Sequence, residues 1–130
     1  MRLLSAVQVV IVMSDIKFER FSQKQLTVLN WWTESSPNKT YDAIICDGAV
    51  RSGKTICMSL SFILWSLYRF SDSSFALCGK TISSLRRNVV TPLLPILKNM
   101  GFTVTEKRSA NIIEIRNGKH LNRFYLLGGK

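Results

Sequence analysis

Eight consecutive residues constrain this chain more than any others. They read Gly48-Ala49-Val50-Arg51-Ser52-Gly53-Lys54-Thr55 and satisfy G-x-x-x-x-G-K-[ST] at every required position. Glycines at both ends let the backbone turn sharply and come close to a ligand. Such a loop points its N–H groups at phosphates. The lysine reaches the β- and γ-phosphates, and the threonine hydroxyl reaches Mg²⁺. The sequence therefore predicts nucleotide binding, with ATP as the expected nucleotide. The binding residues are Gly48, Ser52, Gly53, Lys54 and Thr55, with Thr55 also the metal ligand.

The flanks support this reading. Tyr41-Asp42-Ala43-Ile44-Ile45-Cys46 is apolar and β-favouring, and predicts a strand ending at a polar corner. Residues 56–70 contain neither Gly nor Pro and predict a helix of about four turns. Strand, glycine-rich turn and helix follow in the order a phosphate-binding loop requires. The helix opens at Gly53 and Lys54, so its unpaired N–H groups and positive dipole end face the anion.

With 130 residues, the chain has room for one domain or part of one. Hydrophobic residues make up 46%, which supports a packed core and excludes a disordered chain. The closing stretch Arg123-Phe124-Tyr125-Leu126-Leu127-Gly128-Gly129-Lys130 reads as a strand entering a loop. The chain is thus expected to be the front portion of a larger protein, with residues 16–130 an incomplete ATPase domain and residues 1–15 an extra segment. The apolar run 3–13 has three readings: sequence upstream of a true start at Met13, a genuine added element, or a targeting signal. It is too short to span a membrane as a helix.

Cys46, Cys57 and Cys78 lack metal-ligand spacing and are expected to be buried free thiols in a reducing cytoplasm. The single histidine, His120, excludes a His-rich metal site. The net charge is +10, and residues 66–130 carry 11 basic against 3 acidic side chains. That balance is compatible with nucleic-acid contact.

Ser22 and Gln25 form the pattern of a capping box opening a short helix, with Leu26, Leu29 and Trp32 on its apolar face. Downstream, Phe75-Ala76-Leu77-Cys78 predicts a short strand, and Thr81 predicts the cap of a helix over 82–91 that Pro92 ends or kinks. Segments at 102–105, 111–116 and 123–127 predict strands, and Asn117-Gly118 signals a hairpin turn. The fold class is α/β: a partial P-loop NTPase domain of RecA/ASCE-like type, its mostly parallel sheet flanked by helices and followed by a β-hairpin region.

Several residues keep two readings. Asp47 either approaches Mg²⁺ through water or caps the loop. Arg51 either stabilises charge on the γ-phosphate, as a catalytic residue beside Lys54, or pairs with a carboxylate. Gln25 either reads the N6/N7 edge of adenine or serves only its capping box. Lys80, Arg86 and Arg87 either contact DNA phosphates or nucleotide, or form a solvated helix face. No apolar strand ending in a carboxylate follows the loop. The chain is therefore expected to bind nucleotide weakly and hydrolyse it poorly.

Taken together, Phe21-Ser22-Gln23-Lys24-Gln25, Trp31-Trp32, the Arg-Ser-Gly-Lys-Thr form of the loop and Phe124-Tyr125-Leu126-Leu127-Gly128-Gly129-Lys130 make residues 16–130 resemble the start of a bacteriophage terminase large subunit. The resemblance implies an ATP- and Mg²⁺-dependent motor that pumps double-stranded DNA into a capsid. Gln25 would match the family's adenine-reading glutamine, Lys54 and Thr55 its Walker A pair, and Arg51 its loop arginine. It implies as partners DNA, a small terminase subunit and a portal protein, a homo-oligomeric ring, no membrane, and the bacterial cytoplasm. The family's Asp-Glu pair and nuclease domain would follow residue 130. A helicase-like P-loop NTPase and a non-catalytic prophage remnant are the competing readings.

Overall fold

The computed structural model describes residues 21–48 and 53–129. The segment 1–15, Arg51, Ser52 and Lys130, all singled out above, lie outside the described residues. The chain divides after Trp65 into two compact units.

In the first unit, helix α1 spans Gln23–Asn30, and Ser22 caps it as the sequence predicts. Gln25 N–H donates to Ser22 Oγ at 3.2 Å, and Ser22 N–H donates to Gln25 Oε1 at 2.9 Å. Two otherwise orphaned donors are satisfied, a contribution of about 1 kcal/mol. Leu29 and Trp32 are buried, as their spacing predicts. Residues 41–46 are a correction: they form no strand, and Asp42 sits in a bend. A strand exists only with a ladder partner, and here Tyr41 and Ile45 stand 64% and 92% exposed. Helix α2, Lys54–Arg69, follows the loop. Its Trp65 ring lies 6.0 Å from that of Trp31 and 5.8 Å from that of Phe62. Serine is a sparse polar break in this helix, and Ser61 is used: its hydroxyl donates to Val28 C=O at 2.6 Å.

The second unit is a four-stranded sheet with helices. Strands β1 (Ser74–Gly79), β2 (Thr103–Lys107), β3 (Ile112–Asn117) and β4 (His120–Gly128) lie in the order β1-β4-β3-β2. β1 and β4 are parallel, while β3 pairs antiparallel with both β4 and β2. The hairpin region thus extends the same sheet as β1. Its turn is centred on Gly118 and Lys119, one residue beyond Asn117-Gly118, because Asn117 pairs with His120. Gly118 supplies the positive φ of 62° that the first central position needs. Alternation along β3 and β4 buries Ile113, Ile115, Asn122, Phe124 and Leu126 on one face. On the other face Glu114 joins neighbouring strands, with Lys107 at 2.7 Å and Arg123 at 3.6 Å. Its hydrogen bond from Lys107 holds that carboxyl below the usual carboxylate range.

Pro92 does not end the helix that begins at Thr81. Helix α3 (Ile82–Leu85) passes through a π-turn (Arg86–Val90) into helix α4 (Thr91–Asn99). Thr91 N–H bonds to the carbonyl of Arg86, five residues back. The wider turn shifts the bonding register where Pro92 lacks a donor. Pro95 costs about 3 kcal/mol inside a helix. Leu93, Leu94, Ile96 and Leu97 are all buried, at roughly 1.5–3 kcal/mol each, and their burial outweighs that cost.

Two residues lock the sheet to its connections. Asn122 is fully buried; its Nδ2 donates to Ser66 C=O at 2.9 Å and Phe70 C=O at 3.1 Å, and its Oδ1 accepts from Ser73 N–H at 3.0 Å. It thereby closes the C-terminal end of α2. Gly128 passes against the start of α3, where a Cβ would lie 2.5 Å from Ile82 N. That contact gives Gly128, the first of the Gly128-Gly129 pair, a packing reason. Replacing Asn122 with Ala strands Phe70 C=O and Ser73 N–H, while Ser66 C=O keeps its bond from Phe70 N–H. Urea unfolding should show a loss of about 2–4 kcal/mol with unchanged slope.

Candidate nucleotide-binding site

The site is built on the first turn of α2. Gly53 has φ +76°, a conformation that favours glycine, and its C=O accepts the first helical bond from Cys57 N–H at 3.1 Å. Lys54 follows at the first helical position, half-buried, and its ammonium donates to Gly48 C=O across the mouth of the loop. The loop's two ends are thereby tied by the residue expected to carry its charge. Thr55 is exposed beside Lys54, and its own C=O accepts from Ser59 Oγ at 2.6 Å. Asp47 is exposed next to Gly48, and no hydrogen bond reaches its carboxylate among the described residues.

Gln25 joins this group from α1. A Cβ placed on Gly53 would lie only 2.9 Å from Gln25 Nε2. The side chain therefore does two things at once: its oxygen completes the capping box with Ser22, and its amide nitrogen faces the loop's last glycine. The capping-box reading of Gln25 is borne out. Gly53 is needed for its φ and also for the space the Gln25 amide fills.

Cys57 completes the arrangement, although its place in an apolar helix predicts no more than a buried free thiol. It is buried, and its Sγ–H donates to Gln25 C=O at 3.3 Å. The signal that finds it is its spacing: four residues after Gly53, it stands one helical turn along the same face. Burial, with a smaller contribution from nearby Cys46, pushes the Cys57 thiol up to about 11. The neutral donor form is thus the form present at neutral pH. The other two cysteines depart from the expectation of burial, Cys46 being half-buried and Cys78 exposed. Cys78 alternates with inward residues of β1, and alternation outweighs its apolar character.

Of the basic group near the end of β1, Arg86 departs from the solvated helix face, while Lys80 and Arg87 keep to it. Arg86 is only 18% exposed, donating to Glu106 Oε2 and Asn111 Oδ1, both at 3.1 Å. It anchors the helix to the β2–β3 connection, where Asn111 takes a left-handed φ of 54°. Lys80 and Arg87 are exposed, and Arg87 Nε reaches Asn88 Oδ1 at 3.4 Å. Among the described residues no group of three His, Cys, Asp or Glu side chains could hold a metal ion, and no helix is long and apolar enough to cross a membrane.

The mixed parallel and antiparallel sheet with its flanking helices is that of the RecA/ASCE-like P-loop NTPase fold, and the chain carries the G-x-x-x-x-G-K-[ST] sequence ahead of α2. No family model and no curated protein matches the chain. Solved structures do. The large terminase of a thermophilic bacteriophage, in complex with ADP, is 49% identical, with a TM-score of 0.83 over 85% of this chain and 27% of that one. A second crystal form of the same terminase gives 48% identity and a TM-score of 0.84 over 86% of this chain and 28% of that one. Its complex with ATP-gamma-S gives 48% and 0.82, over 85% and 28%. The chain belongs to the bacteriophage large terminase family. It spans about a quarter of the length of the terminase it matches.

Burial of Cys57 makes a pH prediction. Its folded-state pKa of about 11 exceeds the usual value of 9.0, so the unfolded chain loses this proton first. Its contribution to stability is full below pH 9 and falls as pH rises from about 9 to 11. Thiol alkylation at pH 8, read by mass spectrometry, should modify exposed Cys78 well before Cys57.

Proposed function

We propose that this chain holds ATP in the loop Gly48–Thr55 and forms the ATP-binding part of a motor that drives double-stranded DNA into a viral capsid. The observation that carries the reading is Lys54, set at the head of α2 with its ammonium over the loop mouth at Gly48. The 49% identity to a terminase solved with ADP supports the same choice of ligand. In this reading Lys54 binds the β- and γ-phosphates, while N–H groups from Gly48 to Thr55, Ser52 and Gly53 included, cradle the chain of phosphates. Gln25 reads the adenine edge from beside Gly53. Arg51 addresses the γ-phosphate as the catalytic arginine of the loop.

Mg²⁺ fits this set. Thr55 offers an exposed hydroxyl oxygen one residue from Lys54, and Mg²⁺ favours few protein ligands together with phosphates and water. When bound, the ion would neutralise charge on the β- and γ-phosphates. The partners proposed for the longer protein are DNA, a small terminase subunit, a portal protein and further copies in a ring, acting in the cytoplasm of the bacterial host.

Equilibrium titration of this chain with ADP and ATP-γ-S tests the proposal. Lys54→Ala removes a charge-assisted contact and should weaken both by roughly 10- to 100-fold. Arg51→Ala should weaken ATP-γ-S more than ADP, because only the former carries a γ-phosphate. Equal affinities in wild type and Lys54→Ala would remove the loop from the site.

A further inference from the structure

We infer that Cys57 is a positioning residue: its thiol fixes where the Gln25 amide stands relative to the phosphate loop, and so sets the preference for adenine over guanine. The inference rests on the proposed reading of the loop as an ATP site, and it assigns a role that the loop motif does not contain.

Four contacts carry it. Cys57 N–H donates to Gly53 C=O at 3.1 Å, within the first turn of α2. Cys57 Sγ–H donates to Gln25 C=O at 3.3 Å, from that helix to α1. The Gln25 amide nitrogen fills the space where a Cβ on Gly53 would stand, 2.9 Å away. Ser22 N–H donates to Gln25 Oε1 at 2.9 Å and so determines which end of the amide faces the loop. Gly53, Cys57 and Gln25 thus form a closed triangle, with the phosphate loop at one corner and the base-reading amide at another. Cys57 is the side where α2 grips the backbone of Gln25.

The chemistry of the base makes that grip matter. An amide oxygen has two acceptor sites, and Ser22 occupies one of them. The second can accept from the N6 amino group of adenine while Nε2 donates to N7. Guanine presents an acceptor, O6, where adenine presents N6, and two acceptors facing each other repel. Discrimination therefore depends on how firmly Oε1 is held, and phosphate binding does not. Burial keeps the Cys57 thiol protonated and able to donate at neutral pH. One turn further along, Ser61 Oγ–H donates to Val28 C=O at 2.6 Å. That bond joins the same two helices without touching Gln25, and it supplies an internal control.

The test is titration of this chain with ATP and with GTP, alongside thermal unfolding of each variant. Wild type should prefer ATP. Cys57→Ala and the near-isosteric Cys57→Val both remove the donor and should each weaken ATP by roughly five-fold, the worth of one hydrogen bond, with GTP unchanged. Cys57→Ser should restore the preference. Ser61→Ala should lower the unfolding temperature and leave the ATP-to-GTP ratio as in wild type. The inference is overturned if the donor-less variants keep the wild-type ratio, if they weaken both nucleotides alike, or if Ser61→Ala shifts the ratio as much as they do. A wild type that binds both nucleotides without preference overturns the inference and leaves the phosphate site standing. A wild type that binds neither overturns both.

Discussion

The space beside Gly53 is what the candidate site depends on. With a φ of +76° and the Gln25 amide where a Cβ would be, this residue joins two demands in one atom's absence. The positive φ lets the backbone leave the loop and enter α2 so that Lys54 stands at the first helical position. The empty Cβ direction lets α1 bring Gln25 up to the loop. The positive φ strains any side chain here, and a Cβ would also oblige the Gln25 amide to move. The Lys54 bond to Gly48 and the Cys57 bond to Gln25 then hold the loop's mouth and its flank.

The sheet unit obeys the same logic of buried polar groups used as fasteners. Asn122 satisfies two carbonyls at the end of α2 and the Ser73 N–H from one fully buried amide. Arg86 does similar work at the surface edge, bridging the π-turn to Glu106 and Asn111. Arg86, which a charge count would assign to ligand binding, here joins elements instead.

What could be read from the sequence was what short-range chemistry decides. The Ser22–Gln25 capping box, the helix from Lys54 and the hairpin near Gly118 all follow from residues within a few positions of one another. What escaped depends on distant partners. Residues 41–46 have the composition of a strand, but no residue near them in sequence can say whether a ladder partner exists. Pro92 reads locally as a stop or a kink, and the burial of Leu93, Leu94, Ile96 and Leu97 explains why the helix runs on past it through a π-turn. Arg86 finds its acid 20 residues on, at Glu106, across a strand. Cys57 was hidden for the same reason: its acceptor, the carbonyl of Gln25, lies 32 residues earlier. Arg51, the most family-specific residue of the loop, lies outside the described residues, and its role rests on the resemblance.

Hydrogen–deuterium exchange of this chain with and without ATP-γ-S tests the central claim most directly. If Gly53, Lys54, Gln25 and Cys57 form one nucleotide site, amides in the first turn of α2 and in Gln23–Asn30 should gain protection together, at the same nucleotide concentration. Protection confined to either segment, or absent from both while nucleotide is bound, would contradict the account.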